Sequence, residues 1–284
     1  MKPIFVLCEG PHDVAFFGRL LKTANVKPYR ETLNHYVPKA LSAFLIERYR
    51  MRDIEGARFR TGRGMVLECP PIFEAAYTLT DPSRLLLFHS CNGDNHLKAI
   101  GKFLSNLTEL ARAGAADVGL PSFGVLFVRD ADDRGIDARV DQLRAEFTEI
   151  LKPVLPSIDQ LTANDPDKIV RDGDFSAGCC IFSAPDKNTG TLEDIVWPLL
   201  QPWMPPRMDE ARQYVDTHGV ADTAVARGQN PAAKRLKAAL TIAGQMDAPG
   251  YALSVVMRDT PAFNDEAIRG NSVCQMLTRM VLEI

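Results

Sequence analysis

The sequence predicts an α/β protein with a mainly parallel four-stranded sheet flanked by helices, an insertion after the first helix and a helical C-terminal extension. Short apolar runs that suit buried strands alternate with segments whose apolar residues recur at helical spacing. Such alternation is typical of a parallel sheet with helices on both faces. The strand candidates are residues 4–8, 85–89, 123–128 and 178–184.

The opening segment predicts a strand, a glycine turn and a helix. Residues 4–8 are apolar and end at Glu9-Gly10, which suits a buried strand followed by a turn. The helix is indicated by apolar residues at helical spacing, namely Val14, Phe16, Phe17, Leu20 and Leu21.

Residues 27–82 are predicted to be an insertion, with a helix at 40–49 and a hairpin or loop at 58–69. Its arginines could contact phosphates, although a solvated surface paired with nearby acidic residues explains them equally well. These arginines are Arg48, Arg50, Arg52, Arg58, Arg60 and Arg63.

Regular alternation resumes after the insertion. Residues 97–110 and 140–151 are predicted helices, and a short helix follows the fourth strand. The sheet domain is therefore assigned to residues 1–204. Residues 205–284 are expected to be a mostly helical extension packed on the same domain, with 232–243 and 274–282 as its clearest helices.

Composition excludes several other classes of protein. The chain has 284 residues and a net charge of −3, so a nucleic-acid contact would need a local basic patch. The six cysteines include no CxxC pair, which argues against a zinc site and favours a cytoplasmic location. An acidic residue comes too early for a secretory signal, and no stretch is long and apolar enough to span a bilayer.

Acidic residues follow three of the four strand candidates. The carboxyl ends of neighbouring parallel strands lie close together, so these carboxylates are expected to converge and to raise one another's pKa. A bound cation would remove that repulsion, and oxygen ligands without nitrogen or sulfur suit Mg²⁺ or Mn²⁺. The residues are Glu9 and Asp13, Asp130 and Asp132, and Glu193 and Asp194 with Asp186 nearby.

Taken singly, each acidic group has an ordinary structural explanation. Glu9-Gly10 could be a simple turn, and Asp130-x-Asp132 could be a turn or a helix cap. Glu193 and Asp194 could simply interact favourably with the dipole at the N-terminus of the predicted helix. The succession of these groups after successive strands is what favours a metal site.

These three acidic stretches, together with the segment 85–93, resemble motifs of the TOPRIM domain, which is shared by topoisomerases, bacterial primases and OLD-family nucleases. The sequence EGPHD at 9–13 is similar to the first motif, and VRDAD at 128–132 is similar to the second. Residues 85–93 resemble the strand and glycine turn between them. The segment 185–194, which ends in GTLED, resembles the corresponding motif of small stand-alone TOPRIM proteins of unassigned function and of OLD-type nucleases.

The resemblance implies a TOPRIM-like sheet and roles for individual residues. Glu9 would be a metal ligand and an acid–base residue, and a lysine on a later helix would assist catalysis. Lys234 is the candidate for that lysine, with Lys237 close behind, and a solvated helix face is an equally good explanation of both. The metal ligands would be Glu9, Asp13, Asp130, Asp132 and Glu193, with Asp133 a neighbouring alternative and Thr191 close by.

The predicted function is Mg²⁺- or Mn²⁺-dependent hydrolysis of phosphodiester bonds in DNA or RNA. A second hypothesis is a non-catalytic module that binds a metal and a nucleotide, or an effector of a partner ATPase, since the chain has no GxxxxGK[ST] motif of its own. A phosphatase with an aspartate nucleophile is disfavoured, because the opening strand ends in Glu9-Gly10 and not in the DxD pair.

Overall fold

The fold is given by a computed structural model that describes residues 2–29, 41, 73–79, 84–91, 97–113, 120–203, 205–219, 231–261 and 263–284. The hairpin or loop predicted at 58–69 and the insertion's arginines lie outside these residues, as does nearly all of the helix predicted at 40–49.

The described strands form one mixed sheet of seven strands in the order β2-β3-β4-β1-β5-β7-β6. The strands are β1 (Lys2–Cys8), β2 (Lys27–Pro28), β3 (Phe73–Thr78), β4 (Arg84–Ser90), β5 (Gly124–Asp130), β6 (Val170–Asp172) and β7 (Phe175–Phe182).

The α/β class predicted from the sequence is confirmed, but the prediction of a mainly parallel four-stranded sheet is wrong in its finer detail. The central strands β4, β1, β5 and β7 are the four predicted ones, and they pair in parallel. Antiparallel strands extend this centre on both sides, with β3 and β2 beyond β4 and β6 beyond β7. Strands β2 and β3 come from the range assigned to the insertion, so part of that range belongs to the sheet.

Helices cover both faces of the sheet. The described helices are α1 (Pro11–Thr23), α2 (Leu97–Arg112), α3 (Ile136–Leu151), α4 (Leu192–Leu200), α5 (Pro205–His218), α6 (Pro231–Asp247), α7 (Leu253–Asp259), α8 (Asp265–Gly270) and α9 (Ser272–Glu283). Within the described residues, none of these helices has the length and apolar character needed to cross a membrane.

The sheet separates two apolar cores because successive side chains of a strand point to opposite faces. In β1, Ile4 and Val6 enter one core while Phe5 and Leu7 enter the other. The first core contains α1 together with α4 to α9, and the second contains α2 and α3. The C-terminal helices therefore pack on the α1 face of the sheet.

A buried arginine joins α1 to the C-terminal helices. Arg19 donates a hydrogen bond to the backbone carbonyl of Phe263 at 2.5 Å and forms an ion pair with Asp265 at 2.5 Å. Next to this pair, the rings of Phe16 and Phe263 meet edge to face with centroids 6.2 Å apart. The helices after residue 205 thus share both apolar and polar contacts with the first helix.

Candidate functional site

The ends of β1 and β5 bring the first two predicted acidic residues together. These strands are parallel neighbours, so their carboxyl ends lie at the same edge of the sheet. Glu9 directly follows β1, and Asp130 is the last residue of β5. Glu9 Oε2 accepts a hydrogen bond from the backbone N–H of Asp130 at 3.3 Å, which connects the two strand ends directly.

Asp13 faces the same edge from the first turn of α1. Its Oδ2 accepts a hydrogen bond from the backbone N–H of Gly10 at 2.9 Å, as expected for an acidic residue at the third position of a capped helix. The side chain is only 6% exposed. The sequence EGPHD therefore places a buried carboxylate one helical turn after Glu9.

The start of α4 is attached to Asp130. The backbone N–H of Leu192 donates to Asp130 Oδ1 at 2.9 Å, so the first turn of α4 lies against the end of β5. Asp194 is used locally, because its Oδ2 accepts the Thr191 N–H at 2.8 Å in a capping box. Glu193, between these capping residues, is 6% exposed. We call the group formed by Glu9, Asp13, Asp130 and Glu193 the acidic edge.

The loop before α4 requires glycine at position 190. Gly190 has a φ of +130°, and a Cβ there would lie 2.3 Å from the backbone nitrogen of Ala184. The backbone of Gly190 also pairs with Asp132 through two hydrogen bonds, of 2.8 and 3.0 Å. The glycine of the segment 185–194 thus joins the loop before α4 to the loop after β5.

A lysine and a histidine flank Glu193. Lys237 Nζ lies 3.6 Å from Glu193 Oε1, and His12 Nδ1 lies 3.9 Å from the same oxygen. Lys237 comes from α6, so the C-terminal extension contributes a positive charge to the edge. The sequence candidate was Lys234; the lysine that contacts the acidic residues is Lys237, three positions later on the same helix.

Burial and mutual repulsion perturb two of the carboxylates. Burial is the main cause that raises the pKa of Asp13 to about 7. The negative charges of Glu9 and Glu193 raise it further, whereas the hydrogen bond from the Gly10 N–H lowers it. Burial also raises the pKa of Asp130 well above its ordinary value, with further contributions from Asp13, Glu9 and Glu193. Both residues therefore bind protons more readily than an exposed aspartate does.

Glu193 behaves in the opposite way. Burial alone would raise its pKa, but the interaction with His12 and the charge of Lys237 outweigh burial, and the pKa is lowered. Glu193 therefore stays ionised more easily than Asp13 and Asp130 do. The pKa values of Glu193 and Asp13 differ in direction because burial dominates at Asp13, whereas His12 and Lys237 together outweigh burial at Glu193.

Asp132 has a different environment from the other predicted ligands. Its backbone has a φ of +48°, and its carboxylate forms an ion pair with the guanidinium of Arg139 on α3. Asp132 does not appear among the main causes of the raised pKa values of Asp13 and Asp130. The structure thus brings together Glu9, Asp13, Asp130 and Glu193, and it attaches Asp132 to Arg139. Asp133 and Asp186 are exposed.

The donor set suits a hard divalent cation, although the side chains are not arranged around one. All four carboxylates offer oxygen, the element that Mg²⁺ and Mn²⁺ prefer. Burial and, after it, repulsion between neighbouring carboxylates raise the pKa values of Asp13 and Asp130, and a cation would relieve that repulsion. Within the described ranges, no group of three or more His, Cys, Asp or Glu side chains is placed to hold a metal ion as it stands. Binding would therefore require rotation of side chains at this edge.

Sequence reasoning missed His12 and Arg139, and it assigned the second lysine only as a neighbour of the first. The position of His12 inside EGPHD is visible in the sequence, but a single histidine in the first turn of a helix carries no spacing signal. Arg139 is one of many arginines in helices, and its contact with Asp132 depends on how α3 turns away from β5. The contacts of these side chains with the acidic residues, which the sequence does not state, are what distinguish them.

The described cysteines are buried thiols that are poorly suited to bind a metal ion. The five described cysteines, Cys8, Cys91, Cys179, Cys180 and Cys274, are free and buried. Cys91 lies near the acidic edge, where burial raises the pKa of its thiol to about 11. A thiol with so high a pKa is mostly protonated at neutral pH and is a poor metal ligand.

Comparison with known proteins supports the fold and says nothing further about the site. No protein-family model matches the chain, and no curated protein matches it. A crystal structure of a hypothetical protein from Pyrococcus horikoshii OT3 is similar to this chain, with a TM-score of 0.50 and 16% sequence identity over 100% of this chain and 95% of that chain. At this identity the similarity shows an α/β fold in common and nothing about activity.

Proposed function

We propose that this protein hydrolyses phosphodiester bonds in nucleic acid with the help of Mg²⁺ or Mn²⁺. The observation that carries the proposal is the convergence of Glu9, Asp13, Asp130 and Glu193 at the carboxyl edge of the sheet, with Lys237 beside them. The resemblance of EGPHD, VRDAD and GTLED to TOPRIM motifs supports the same function, because these three stretches contain all four converging carboxylates.

The cation would be held by carboxylate oxygens from Asp13, Asp130, Glu193 and Glu9. When bound, such an ion stabilises the charge that develops on a phosphate and helps to generate hydroxide from water. Backbone N–H groups already bind one oxygen of Asp13 and one oxygen of Asp130. These hydrogen bonds fix the direction of the Asp13 and Asp130 carboxylates. The side-chain rotation needed to surround a cation would therefore occur mainly in the longer side chains of Glu9 and Glu193.

Glu9 and Lys237 have separate tasks in this proposal. Glu9 lies at the strand end, where its carboxylate can accept a proton from the attacking water. Lys237 is half-exposed and lies 3.6 Å from Glu193, so its ammonium group can reach a phosphate that approaches the acidic edge. A positive charge there offsets the charge that builds up on the phosphate during hydrolysis.

The proposal is tested with purified protein, plasmid DNA, single-stranded DNA and RNA, each in Mg²⁺, Mn²⁺ or EDTA. We expect metal-dependent cleavage of at least one polynucleotide and a loss of roughly 100-fold or more in Glu9→Gln. Asp186→Asn is the matched control, because Asp186 is an exposed acidic residue outside the converging group. Its activity should equal that of the wild type.

Two results would contradict hydrolysis. Metal-dependent binding of nucleic acid without cleavage would support a non-catalytic module, and an effector of a partner ATPase would then be the next hypothesis to test. Release of phosphate from a small phosphomonoester, without cleavage of any polynucleotide, would instead support a phosphatase.

A further inference from the structure

We propose that Asp132 is not a ligand of the cation and that the pair Asp132–Arg139 instead positions Asp130. This inference rests on the proposed metal site and concerns which residues bind the cation and which ones orient its ligands. The TOPRIM resemblance implies that both aspartates of the pair at 130 and 132 hold metal. The contacts of Asp132 in this chain give its carboxylate a different partner.

Arg139 connects the two aspartates. The side chain is 4% exposed, and its Nε donates to the backbone carbonyl of Asp130 at 3.0 Å. Its Nη2 donates to Asp132 Oδ2, and its Nη1 donates to Gln142 Oε1 at 2.9 Å. Three nitrogens of one buried guanidinium thus have three acceptors, one at the end of β5, one in the turn after it and one on Gln142.

The backbone of Asp132 is held from the opposite side. Its N–H donates to Gly190 O at 2.8 Å and its carbonyl accepts from Gly190 N–H at 3.0 Å. With the backbone fixed at a φ of +48°, the side chain of Asp132 is directed to Arg139 by the loop itself. Rotation of Asp132 toward a cation would leave the buried guanidinium of Arg139 without its carboxylate, which is costly.

Asp130 is correspondingly well fixed. Its carbonyl is bound by Arg139, its N–H by Glu9, and its Oδ1 by the Leu192 N–H. Arg139 therefore acts on the cation through Asp130, as a positioning residue, and Asp132 holds the orientation of Arg139. Gln142 extends the arrangement, since its Nε2 donates to Glu146 Oε1 at 3.1 Å.

The test measures Mn²⁺ affinity of the full-length protein from the electron paramagnetic resonance signal of free Mn²⁺, with far-ultraviolet circular dichroism to verify folding. Asp130→Asn should lose binding by about 100-fold or more, whereas Asp132→Asn, whose amide oxygen still accepts from Arg139, should lose no more than about 3-fold. Arg139→Gln should weaken binding by about 10-fold, the range usual for residues that orient a metal ligand.

The double variant Asp132→Asn/Arg139→Gln distinguishes a shared effect from separate ones, and it removes both charges together so that neither is left without its partner. Its Mn²⁺ affinity should equal that of Arg139→Gln, because both residues act through the same contact. A loss in Asp132→Asn as large as that in Asp130→Asn would overturn the inference while leaving the proposed metal site in place. Absence of Mn²⁺ binding in the wild type would overturn the proposed function itself, and this inference with it.

Discussion

At the scale of single residues, Asp13 is the clearest example of a side chain whose ordinary chemistry is changed by its surroundings. Its pKa is raised from 3.8 to about 7, chiefly by burial. A carboxyl group whose pKa rises on folding binds protons more tightly in the folded state. This group therefore contributes most to stability below about pH 4, and the contribution is lost as pH rises through about 7.

We expect Asp13→Asn to remove this pH dependence, because the amide is neutral throughout while its oxygen still accepts from Gly10. In the absence of divalent metal, the melting temperature of Asp13→Asn relative to wild type should increase between pH 5 and pH 8. Differential scanning fluorimetry in EDTA measures the difference, with Asp186→Asn as the control for an exposed aspartate. A constant difference across this pH range would contradict the assigned cause.

The two lysines of α6 provide a second prediction at the residue scale. Lys237 contacts Glu193, so Lys237→Met should reduce cleavage of nucleic acid by roughly 10- to 100-fold in kcat. Lys234→Met, three residues earlier on the same helix, should reduce it by less than about 3-fold. Steady-state rates on the best polynucleotide substrate measure both. Equal losses in the two variants would contradict the assignment to Lys237.

The convergence of four acidic residues was accessible from the sequence, whereas the roles of their neighbours were not. Glu9 and Asp130 follow apolar runs, and the parallel alternation of strands predicts that such residues meet at one edge. The ion pair between Asp132 and Arg139 depends on how the loop after β5 packs against α3, which the sequence does not show. Lys234 and Lys237 are separated by less than one turn of helix, so only the packing of α6 distinguishes them.

At the scale of elements, the strands that the sequence failed to predict are all at the margins of the sheet. Strand β2 has two residues and β6 has three, which is too short for an alternating pattern to be recognised. Strand β3 is longer but lies in the range assigned to the insertion. The central strands are long, apolar and followed by helices, and these features predicted them.

The contact between α1 and the segment before α8 gives a prediction at this scale. Arg19→Met removes the hydrogen bond to Phe263 O and leaves Asp265 without its partner, so the free energy of unfolding should fall by roughly 1–3 kcal/mol. Arg279→Met is the control, because the ion pairs of Arg279 are exposed and are expected to contribute less than about 1 kcal/mol. Chemical denaturation measures both. A loss in Arg279→Met equal to that in Arg19→Met would contradict the importance of burial.

At the scale of the whole molecule, the assignment of residues 1–204 to a sheet domain does not mean that this part is self-sufficient. The core on the α1 face includes side chains from α5 to α9 and from the segment between α7 and α8, among them Met208, Leu240, Phe263 and Val281. A chain that ends at residue 204 would expose the apolar surfaces of α1 and the sheet that these residues cover. The core on the α1 face therefore needs both parts of the chain.

We expect residues 1–204 expressed alone to bind the dye ANS strongly and to aggregate, because a large apolar face would be exposed to water. Size-exclusion chromatography and dye fluorescence measure this, with the full-length chain as the reference. A monomeric, cooperatively unfolding 1–204 fragment would contradict the role assigned to the C-terminal helices.

The position of Lys237 on α6, late in the chain, determines when during translation this lysine can reach the acidic edge. Glu9, Asp13, Asp130 and Glu193 all precede Lys237 in the sequence, so the acidic residues leave the ribosome before Lys237 does. A nascent chain that ends before α6 carries these carboxylates without the ammonium that lies beside Glu193 in the folded protein. The acidic edge therefore acquires its neighbouring positive charge only when translation has passed α6, and a prematurely released chain lacks that lysine.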